Sequence, residues 1–338
     1  MKKRIGLAQV GIGYWGKNLL RNFAAIDGVD LVMACDHREE VLSTVADQFP
    51  STQTTFLYRD LLGSDDVDAI VIATETPQHA PLAQMALEAG KHVFVEKPMA
   101  QTTDDARELV RLSDERDLRL MVGHLLLYHP AFRYVEDLVK SGELGDVYYI
   151  YSQRVNLGII REKENAFESL APHDLSVALQ LIDAKPVAVS ASGQAYLRPG
   201  ILDVVFATVH FEGGQMANLH TSWLDPHKIR KVTVVGSQKM AVIDDVAASE
   251  KVRLYDKGVD VSKASYADYV EAMTLRSGDI NIPKINMTEP LRMECEHFID
   301  CVRTGNTPRS DGRNGLAVVE MMEAAGVSLA NGGAQVPV

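Results

Sequence analysis

The chain has 338 residues, of which 46% are hydrophobic and 24% charged, the composition of an ordinary globular protein. At about 150 residues per domain, this length predicts two domains, with one long barrel as the alternative. The 46 acidic residues outnumber the 34 basic ones, and the resulting net charge of −12 argues against nucleic acid and anionic membranes as partners.

Several functional classes lack their sequence signatures. The three cysteines form no close pair, so we expect neither a disulfide framework nor a zinc ribbon. The ten histidines show no spacing typical of metal ligands, and we expect no metal site. No apolar stretch approaches the roughly 18 residues that span a bilayer, and the first apolar run breaks at Gly11, unlike a cleaved leader. These patterns predict a soluble cytoplasmic protein.

Short apolar runs alternate with helical patterns over residues 1–123. The runs cover residues 5–10, 31–35, 69–73, 92–95 and 119–122. Runs of this kind are buried on both faces, which indicates a parallel sheet covered by helices. We therefore predict an α/β domain of the doubly wound Rossmann type over residues 1–123.

Longer strands with alternating polarity follow within residues 124–338. They cover residues 147–155, 203–211, 215–223 and 231–236, with a glycine turn signal between the second and third. This pattern predicts an α+β domain with a large, mainly antiparallel sheet that is open on one face. Such a face commonly becomes a subunit interface, so we expect a homodimer or homotetramer. Two closing helices, at 289–304 and 315–330, are free to pack back on the first domain.

A glycine fingerprint follows the first apolar run. Gly11 permits a tight turn, Gly13 lets the backbone approach a pyrophosphate, and Gly16 permits close packing of helix and strand. Asp36 ends the second run, where a carboxylate binds the adenosine ribose hydroxyls and repels a 2′-phosphate. The sequence therefore predicts NAD as the cofactor, and Arg38 keeps NADP as the minor alternative.

The same segment also matches part of a phosphate-binding loop of nucleotide triphosphatases. Residues 11–17 fit its glycine and lysine spacing, but Asn18 stands where a serine or threonine would bind Mg²⁺. That alternative also leaves Gly16 and Asp36 without a role. We therefore favour the dinucleotide site.

Glu96-Lys97-Pro98 closes the fourth apolar run, at the edge where doubly wound sheets bind ligands. The proline restricts Lys97 to extended geometry and permits a cis bond, which are both ways of aiming a side chain. On composition alone, Glu96 and Lys97 are equally an ordinary surface pair.

The glycine fingerprint, Asp36, the turn at 73–79, the motif at 96–98 and Val122-Gly123-His124 occur here in one order. Together they resemble the glucose-fructose oxidoreductase / inositol dehydrogenase (Gfo/Idh/MocA) family, over essentially the whole chain. The resemblance implies a sugar or cyclitol oxidoreductase in which Lys97 is catalytic and reaches the reacting hydroxyl. The cofactor-binding residues that it implies are Gly11, Ile12, Gly13, Tyr14, Trp15, Gly16, Asp36, His37, Arg38, Thr74, Pro77, His79, Glu96, Lys97 and His124.

A second signature, at residues 149–158 and 170–175, is similar to the nucleotide-sugar dehydrogenases of that family. It implies oxidation of the 3-hydroxyl of UDP-N-acetylglucosamine, or of its uronate, for envelope or lipid A sugars. Another sugar or cyclitol dehydrogenase, and a non-catalytic NAD-dependent sensor, are the alternatives. The substrate-binding residues expected here are Lys97, Arg154, Asn156, Arg161, Asn165, His173 and Arg230.

His173 is the second predicted catalytic residue. Pro172 suits the first turn of a helix, which would place His173 near a helix N-terminus and favour its neutral, proton-accepting form. The family usually has an aspartate four residues earlier, where this chain has Ser169. Proton transfer is then expected to rest on Lys97 and His173, with Glu168 as a substitute if the turn shifts.

Overall fold

The computed structural model describes residues 4–158, 160–162, 164–261 and 273–338. These residues group into two compact units. The first unit is Met1–Tyr128 with Thr288–Glu320, and the second is His129–Met287 with Met321–Val338. The expected division into a cofactor domain at residues 1–123 and a substrate domain at residues 124–338 stays a prediction.

Six parallel strands form the sheet of the first unit, in the order β3-β2-β1-β4-β5-β6. They are β1 Ile5–Val10, β2 Val29–Cys35, β3 Gln53–Thr55, β4 Ala69–Ile72, β5 His92–Glu96 and β6 Leu120–Gly123. This order, which starts at β1 and runs outward in both directions, is that of a doubly wound domain. The predicted α/β Rossmann fold is confirmed.

Nine strands form the sheet of the second unit, in the order β14-β13-β12-β11-β7-β10-β9-β8-β15. They are β7 Val147–Val155, β8 Pro186–Gln194, β9 Val204–Phe211, β10 Met216–Ser222, β11 Ile229–Gly236, β12 Met240–Asp244, β13 Val252–Val261, β14 Met273–Asn281 and β15 Val336–Pro337. All pairings are antiparallel except that of β7 with β10. The predicted mainly antiparallel sheet is confirmed.

The helices of the described ranges lie between these strands in the sequence. They are α1 Gly16–Ala24, α2 Glu39–Gln48, α3 Tyr58–Leu62, α4 His79–Glu88, α5 Thr103–Glu115, α6 Pro130–Lys140, α7 Ala166–Leu181, α8 Pro290–Thr304 and α9 Gly312–Ala330. Two short 3-10 segments cover Thr76–Gln78 and Leu125–Tyr128. Within the described residues, no helix combines the length and the apolar character needed to cross a membrane.

The core of the first unit joins the sheet to helices from both ends of the chain. Every residue of β1, β4 and β6 is buried, as expected for strands with helices on both faces. Phe94 of β5 packs edge-to-face against Phe23 of α1 and Phe298 of α8, with ring centroids 5.6 and 5.7 Å apart. Helix α8, although it follows the second sheet in the sequence, therefore belongs to the core of the first unit.

The second sheet has one covered and one open face. Helix α7 packs on the covered face of β7, β9 and β10. On the other side, the aligned residues of β7, β10 and β9 leave large side chains 41–48% exposed. We call this surface the open face, and its marker residues are Tyr149, Tyr151, Phe206 and Met216.

Candidate functional site

The glycine loop between β1 and α1 has the geometry of a phosphate cradle. Gly11 has a φ of +83°, a backbone conformation that residues with a side chain rarely adopt. A Cβ on Gly16 would lie 2.2 Å from the carbonyl oxygen of Gly11, so a larger residue is excluded there. A Cβ on Gly13 would meet no atom of the described chain within 4 Å. The backbone at Gly13 thus borders open space that a ligand phosphate can approach.

Gln9 supports this loop from below, although the sequence analysis missed it. Its buried Nε2 donates to the carbonyl oxygens of Gly11 at 3.0 Å and Gly16 at 2.7 Å. The available signal was a single polar residue in an otherwise apolar strand, which must find partners when buried.

Asp36 lies at the end of β2, and its carboxylate is buried. It accepts a hydrogen bond from the Ile12 amide at 2.8 Å and from the Arg38 guanidinium at 2.9 and 3.0 Å. Burial raises the pKa of Asp36, but the bonds from Arg38 and Ile12 outweigh burial and hold its pKa at about 2. The ionised carboxylate can bind ribose hydroxyls, with Arg38 as a neighbour that must share it. His37 is exposed, 3.5 Å from Asp36.

Two aromatic residues of the glycine loop have different environments. The Tyr14 side chain is 82% exposed to solvent. The Trp15 indole N–H donates to Glu96 Oε1 at 2.6 Å. The loop is therefore bonded directly to the motif that carries Lys97.

Lys97 follows β5 at the carboxyl edge of the sheet, and its peptide bond to Pro98 is cis. Its amide donates to Glu96 Oε2 at 3.2 Å. The Glu96 carboxyl lies over Gly123, where an added Cβ would come within 3.0 Å of it. Burial raises the pKa of Glu96 to about 7, against the opposing effects of the Lys97 charge and the Trp15 hydrogen bond.

His79 joins the turn after β4 to the residue after Lys97. Its two ring nitrogens lie 2.8 Å from the carbonyl oxygen of Pro98 and 3.1 Å from that of Thr74. Burial lowers the pKa of this imidazole, and the Lys97 charge lowers it further. His79 is 1% exposed, so it supports the turn from within the protein and does not face solvent. Pro77 is exposed at the surface of the turn.

His124 offers an acceptor at the end of β6. Its Nδ1 lies 2.7 Å from Asn314 Oδ1, which is a pure acceptor, so the neutral ring carries its proton on Nδ1. Burial lowers the pKa of His124 to about 4. Its buried Nε2 has no hydrogen-bond partner in the part of the chain that the structure describes. This acceptor, the open space at Gly13 and the Asp36 carboxylate fit the donors and phosphates of a dinucleotide.

The predicted position of His173 at a helix N-terminus is wrong. Helix α7 begins at Ala166, and Pro172 lies inside it. Asn165 caps the helix, because its side-chain Oδ1 accepts from the backbone N–H groups of Phe167 and Glu168 at 2.9 and 3.0 Å. In return, Glu168 Oε2 accepts from the backbone N–H of Asn165 at 2.8 Å. This capping box decides the helix start, so the dipole argument for a neutral His173 does not apply.

A buried ion pair holds α7 on the second sheet. The Arg154 guanidinium of β7 donates to both carboxylate oxygens of Asp174 at 2.8 and 2.9 Å, and both side chains are buried. Asp174 directly follows His173, so this pair fixes the part of α7 that carries His173. The sequence pattern could not show that Arg154 pairs with a carboxylate of this chain.

Arg230 of β11 lies opposite Arg154 in the register. Its side chain is 44% exposed and lies 3.8 Å from Asp245, which also contacts His129 Nε2 at 3.2 Å. Burial lowers the pKa of Arg230, and repulsion from Arg154 adds to this. Arg230 is thus the more accessible cation of this neighbouring pair.

The remaining predicted substrate residues have three different environments. Arg161 is exposed and forms an ion pair with Glu164 at 3.4 Å, whereas Asn165 is occupied as the cap of α7. Asn156 is half-buried, and its backbone N–H donates to the carbonyl oxygen of Ser222 at 3.2 Å. Across the described ranges, no group of three or more His, Cys, Asp or Glu side chains could hold a metal ion.

Comparison with known proteins assigns both parts of the chain. Residues 5–124 match the model of the GFO/IDH/MocA oxidoreductase family with its NAD-binding Rossmann fold. Residues 132–242 match the C-terminal domain model of the same family. The two matches follow the two kinds of sheet described above.

Individual relatives are similar along nearly their whole length. The chain is 26% identical to UDP-N-acetylglucosamine 3-dehydrogenase of Acidithiobacillus ferrooxidans, over 92% of each protein. It is 24% identical to the NAD⁺-dependent scyllo-inositol 2-dehydrogenase of Bacillus subtilis, over 98% of this chain and 96% of the relative. The crystal structure of GenD2 from gentamicin A biosynthesis, in complex with NAD, has the same fold, with a TM-score of 0.82, 24% identity and coverage of 99% and 97%. The chain therefore belongs to the Gfo/Idh/MocA family of oxidoreductases and carries its NAD-binding Rossmann domain.

Proposed function

We propose that this protein is an NAD-dependent dehydrogenase that oxidises the 3-hydroxyl of UDP-N-acetylglucosamine to the 3-keto sugar. The observation that best supports a dehydrogenase is the position of Lys97. It follows β5 at the sheet edge beside the glycine loop, and its backbone N–H donates to Glu96. The similarity to a UDP-N-acetylglucosamine 3-dehydrogenase over 92% of the chain supports the substrate.

The residues of the first unit would hold the cofactor in three places. The glycine loop at Gly13 would receive the pyrophosphate, Asp36 the ribose hydroxyls, and His124 Nε2 an N–H donor. Bound NAD supplies the acceptor for the hydride that leaves the sugar carbon. Pro77, Thr74 and His79 shape the turn beside it.

As the carbon is oxidised, the neutral amine of Lys97 takes the proton of the sugar hydroxyl and becomes the ammonium. The positive charge of an oxidised nicotinamide nearby would favour the neutral amine before this step. A positioned side chain in this role contributes about 10² to 10⁴ in rate. We assign His173 a second role in orienting the hydroxyl or accepting its proton, and the Arg154–Asp174 pair keeps its helix segment in place. Arg230, together with Arg161, is the proposed partner of the diphosphate, because a guanidinium binds phosphate oxygens in pairs.

The open face is the proposed subunit interface. Its aromatic side chains are exposed on the described chain, and Tyr149 and Tyr151 stack with centroids 6.4 Å apart. Apolar surface of this kind is typical of interfaces between copies of a protein. We propose that it pairs the subunits of a homodimer or homotetramer.

The test of function is a substrate panel with NAD, followed by the absorbance of the reduced nicotinamide. We expect the fastest turnover with UDP-N-acetylglucosamine, and slower turnover with its uronate, free N-acetylglucosamine and scyllo-inositol. Lys97→Met should lower kcat by about 10²- to 10⁴-fold while NAD still binds. Lys239→Met, which removes a half-buried lysine paired with Glu143, is the matched control.

Three results would contradict parts of this proposal. A preference for scyllo-inositol would replace the nucleotide sugar by a cyclitol. Near-normal turnover by the Lys97 variant would remove its assigned role. Binding of NAD without turnover of any alcohol would favour a non-catalytic sensor.

A further inference from the structure

One carboxyl group connects the glycine loop to Lys97. Glu96 Oε1 accepts the indole N–H of Trp15 at 2.6 Å, and Glu96 Oε2 accepts the backbone N–H of Lys97 at 3.2 Å. Each oxygen of this carboxyl therefore holds a different part of the cofactor-binding unit. The two donors are 82 residues apart in the sequence, so this link exists only in the folded chain.

The surroundings leave the carboxyl little freedom. An added Cβ on Gly123 would lie 3.0 Å from both Cδ and Oε1 of Glu96 and 3.1 Å from Oε2, so the group lies flat over this glycine. On β5, Glu96 lies two residues beyond Phe94 and thus on the same strand face. Phe94 packs against Phe298 of α8, which fixes that face against the helix. A carboxyl held in this way transmits a displacement of one donor to the other.

We propose that Trp15 is a positioning residue for Lys97, and that it acts through the Glu96 carboxyl. In this arrangement the loop that receives the cofactor phosphates also sets the backbone of Lys97. The inference concerns the cofactor-binding unit alone and does not depend on the sugar proposed above.

The charge of Glu96 decides how strongly the link holds. An ionised carboxylate accepts both N–H donors as charge-assisted bonds, whereas a protonated carboxyl accepts them more weakly. Burial raises the pKa of Glu96 to about 7, so the link should weaken as the pH falls below neutral. The coupling between Trp15 and Lys97 is therefore expected to depend on pH.

Each element packed around Glu96 contributes an ionisable group. Lys97 after β5 and both Glu294 and Cys295 on α8 interact electrostatically with Glu96. His124 after β6 and His79 at the start of α4 interact with the Lys97 charge. The pKa of His124 is lowered to about 4 by burial, and that of Glu294 is raised well above its usual range by burial and by the Glu96 charge. Both are consequently uncharged near neutral pH, and the Lys97 ammonium is the charge that faces Glu96.

The first measurement is the tryptophan emission of the protein without cofactor or substrate, followed against pH. The chain has two tryptophans, and Trp15→Phe isolates the signal of Trp223. We expect an emission change with a midpoint near pH 7 in the unmodified protein, because Trp15 donates to a carboxyl of that pKa. The change should be absent in Trp15→Phe and in Glu96→Gln. Glu88→Gln, at an exposed carboxyl on α4, should keep it.

The second measurement is the labelling rate of Lys97 by an amine-reactive reagent above neutral pH, read by mass spectrometry of its peptide. Loss of the indole donor should free the Glu96 carboxyl and raise the rate at Lys97 about tenfold or more in Trp15→Phe, since hydrogen bonds to charged groups are worth about 1.5–3 kcal/mol and about 1.4 kcal/mol corresponds to a factor of ten. Lys91 is an internal reference, because its ammonium is bonded to the carbonyl oxygens of Ser64 and Val67. Its rate should not change.

The proposal is overturned by either of two results. An emission midpoint that survives in Glu96→Gln would mean that this carboxyl does not control Trp15. An equal Lys97 labelling rate in the unmodified protein and in Trp15→Phe would mean that Trp15 does not position Lys97. Since neither measurement uses a sugar or NAD, an incorrect substrate assignment would leave both results standing.

Discussion

The first unit buries an ionisable side chain, that of Glu294, in its interior. Glu294 on α8 is 1% exposed, and neither of its carboxyl oxygens has a hydrogen-bond partner among the residues that the structure describes. A buried carboxylate without partners is costly, so the group keeps its proton. Burial and repulsion from Glu96 raise the pKa of Glu294 well above its usual value.

This residue should make the stability of the protein fall as the pH rises. The native state keeps the proton where the unfolded chain has lost it, so the contribution is complete below the ordinary pKa of 4.5 and declines above it. The decline amounts to about 1.4 kcal/mol per pH unit until the native pKa is reached. Denaturant unfolding between about pH 5 and 8 should show this contribution to the slope in the unmodified protein and lack it in Glu294→Gln.

Glu296→Gln is the matched control for that series, because Glu296 lies on the same helix but is exposed and bonded to Arg292 at 2.8 Å. It should retain the pH slope of the unmodified protein. Parallel pH curves for Glu294→Gln and the unmodified protein would show that Glu294 is ionised in the native state.

At the residue scale, local patterns could be predicted and distant partners could not. The glycine fingerprint and Asp36 follow from spacing along 26 positions of the chain. The partner of His124 is Asn314, 190 residues away, and nothing in either sequence segment indicates the other. Such pairs are set by packing of the folded chain.

Among the elements, α7 shows how a local signal can mislead. Pro172 is typical of a first helical turn, but the capping box of Asn165 and Glu168 begins the helix earlier. The cap satisfies amides at the helix start, and the helix continues through Pro172 although the proline removes one backbone bond. Strand β3 was missed for a different reason, since its Gln-Thr-Thr sequence carries no apolar run.

Asn165→Ala should test that helix start. Loss of the cap should lower the free energy of unfolding by about 1 kcal/mol, within a range of about 0.5–2 kcal/mol. Asn165→Asp keeps a side-chain acceptor and should cost much less. Denaturant unfolding of the two variants provides the comparison, and equal stability of Asn165→Ala and the unmodified protein would place the energetic start of α7 elsewhere.

At the scale of the whole molecule, the open face predicts self-association. Light scattering during gel filtration should give the mass of two or four chains. Tyr151→Glu places a charge on the open face and should lower that mass, because a buried tyrosine contributes about 150–250 Å² to an interface. Tyr148→Glu, at an exposed neighbour on the opposite side of β7, should leave the mass unchanged. A monomeric unmodified protein, or a Tyr151→Glu variant of unchanged mass, would contradict the proposed interface.

Both sheets could be predicted from hydrophobic patterns, because the spacing of apolar residues within a strand indicates which of its faces are buried. The chemistry depends on which alcohol is oxidised, and this choice is made by side chains from distant parts of the chain. Arg154 illustrates the point, because its pairing with Asp174, 20 residues away, is not visible in the strand pattern that marks it as a predicted substrate ligand.

The most direct test uses UDP-N-acetylglucosamine that carries deuterium on carbon 3 of the sugar, incubated with the protein and NAD. We predict that the deuterium is recovered in the reduced nicotinamide and that the product is the 3-keto sugar. Reduced cofactor without deuterium, or deuterium retained in the sugar, would contradict oxidation at this carbon.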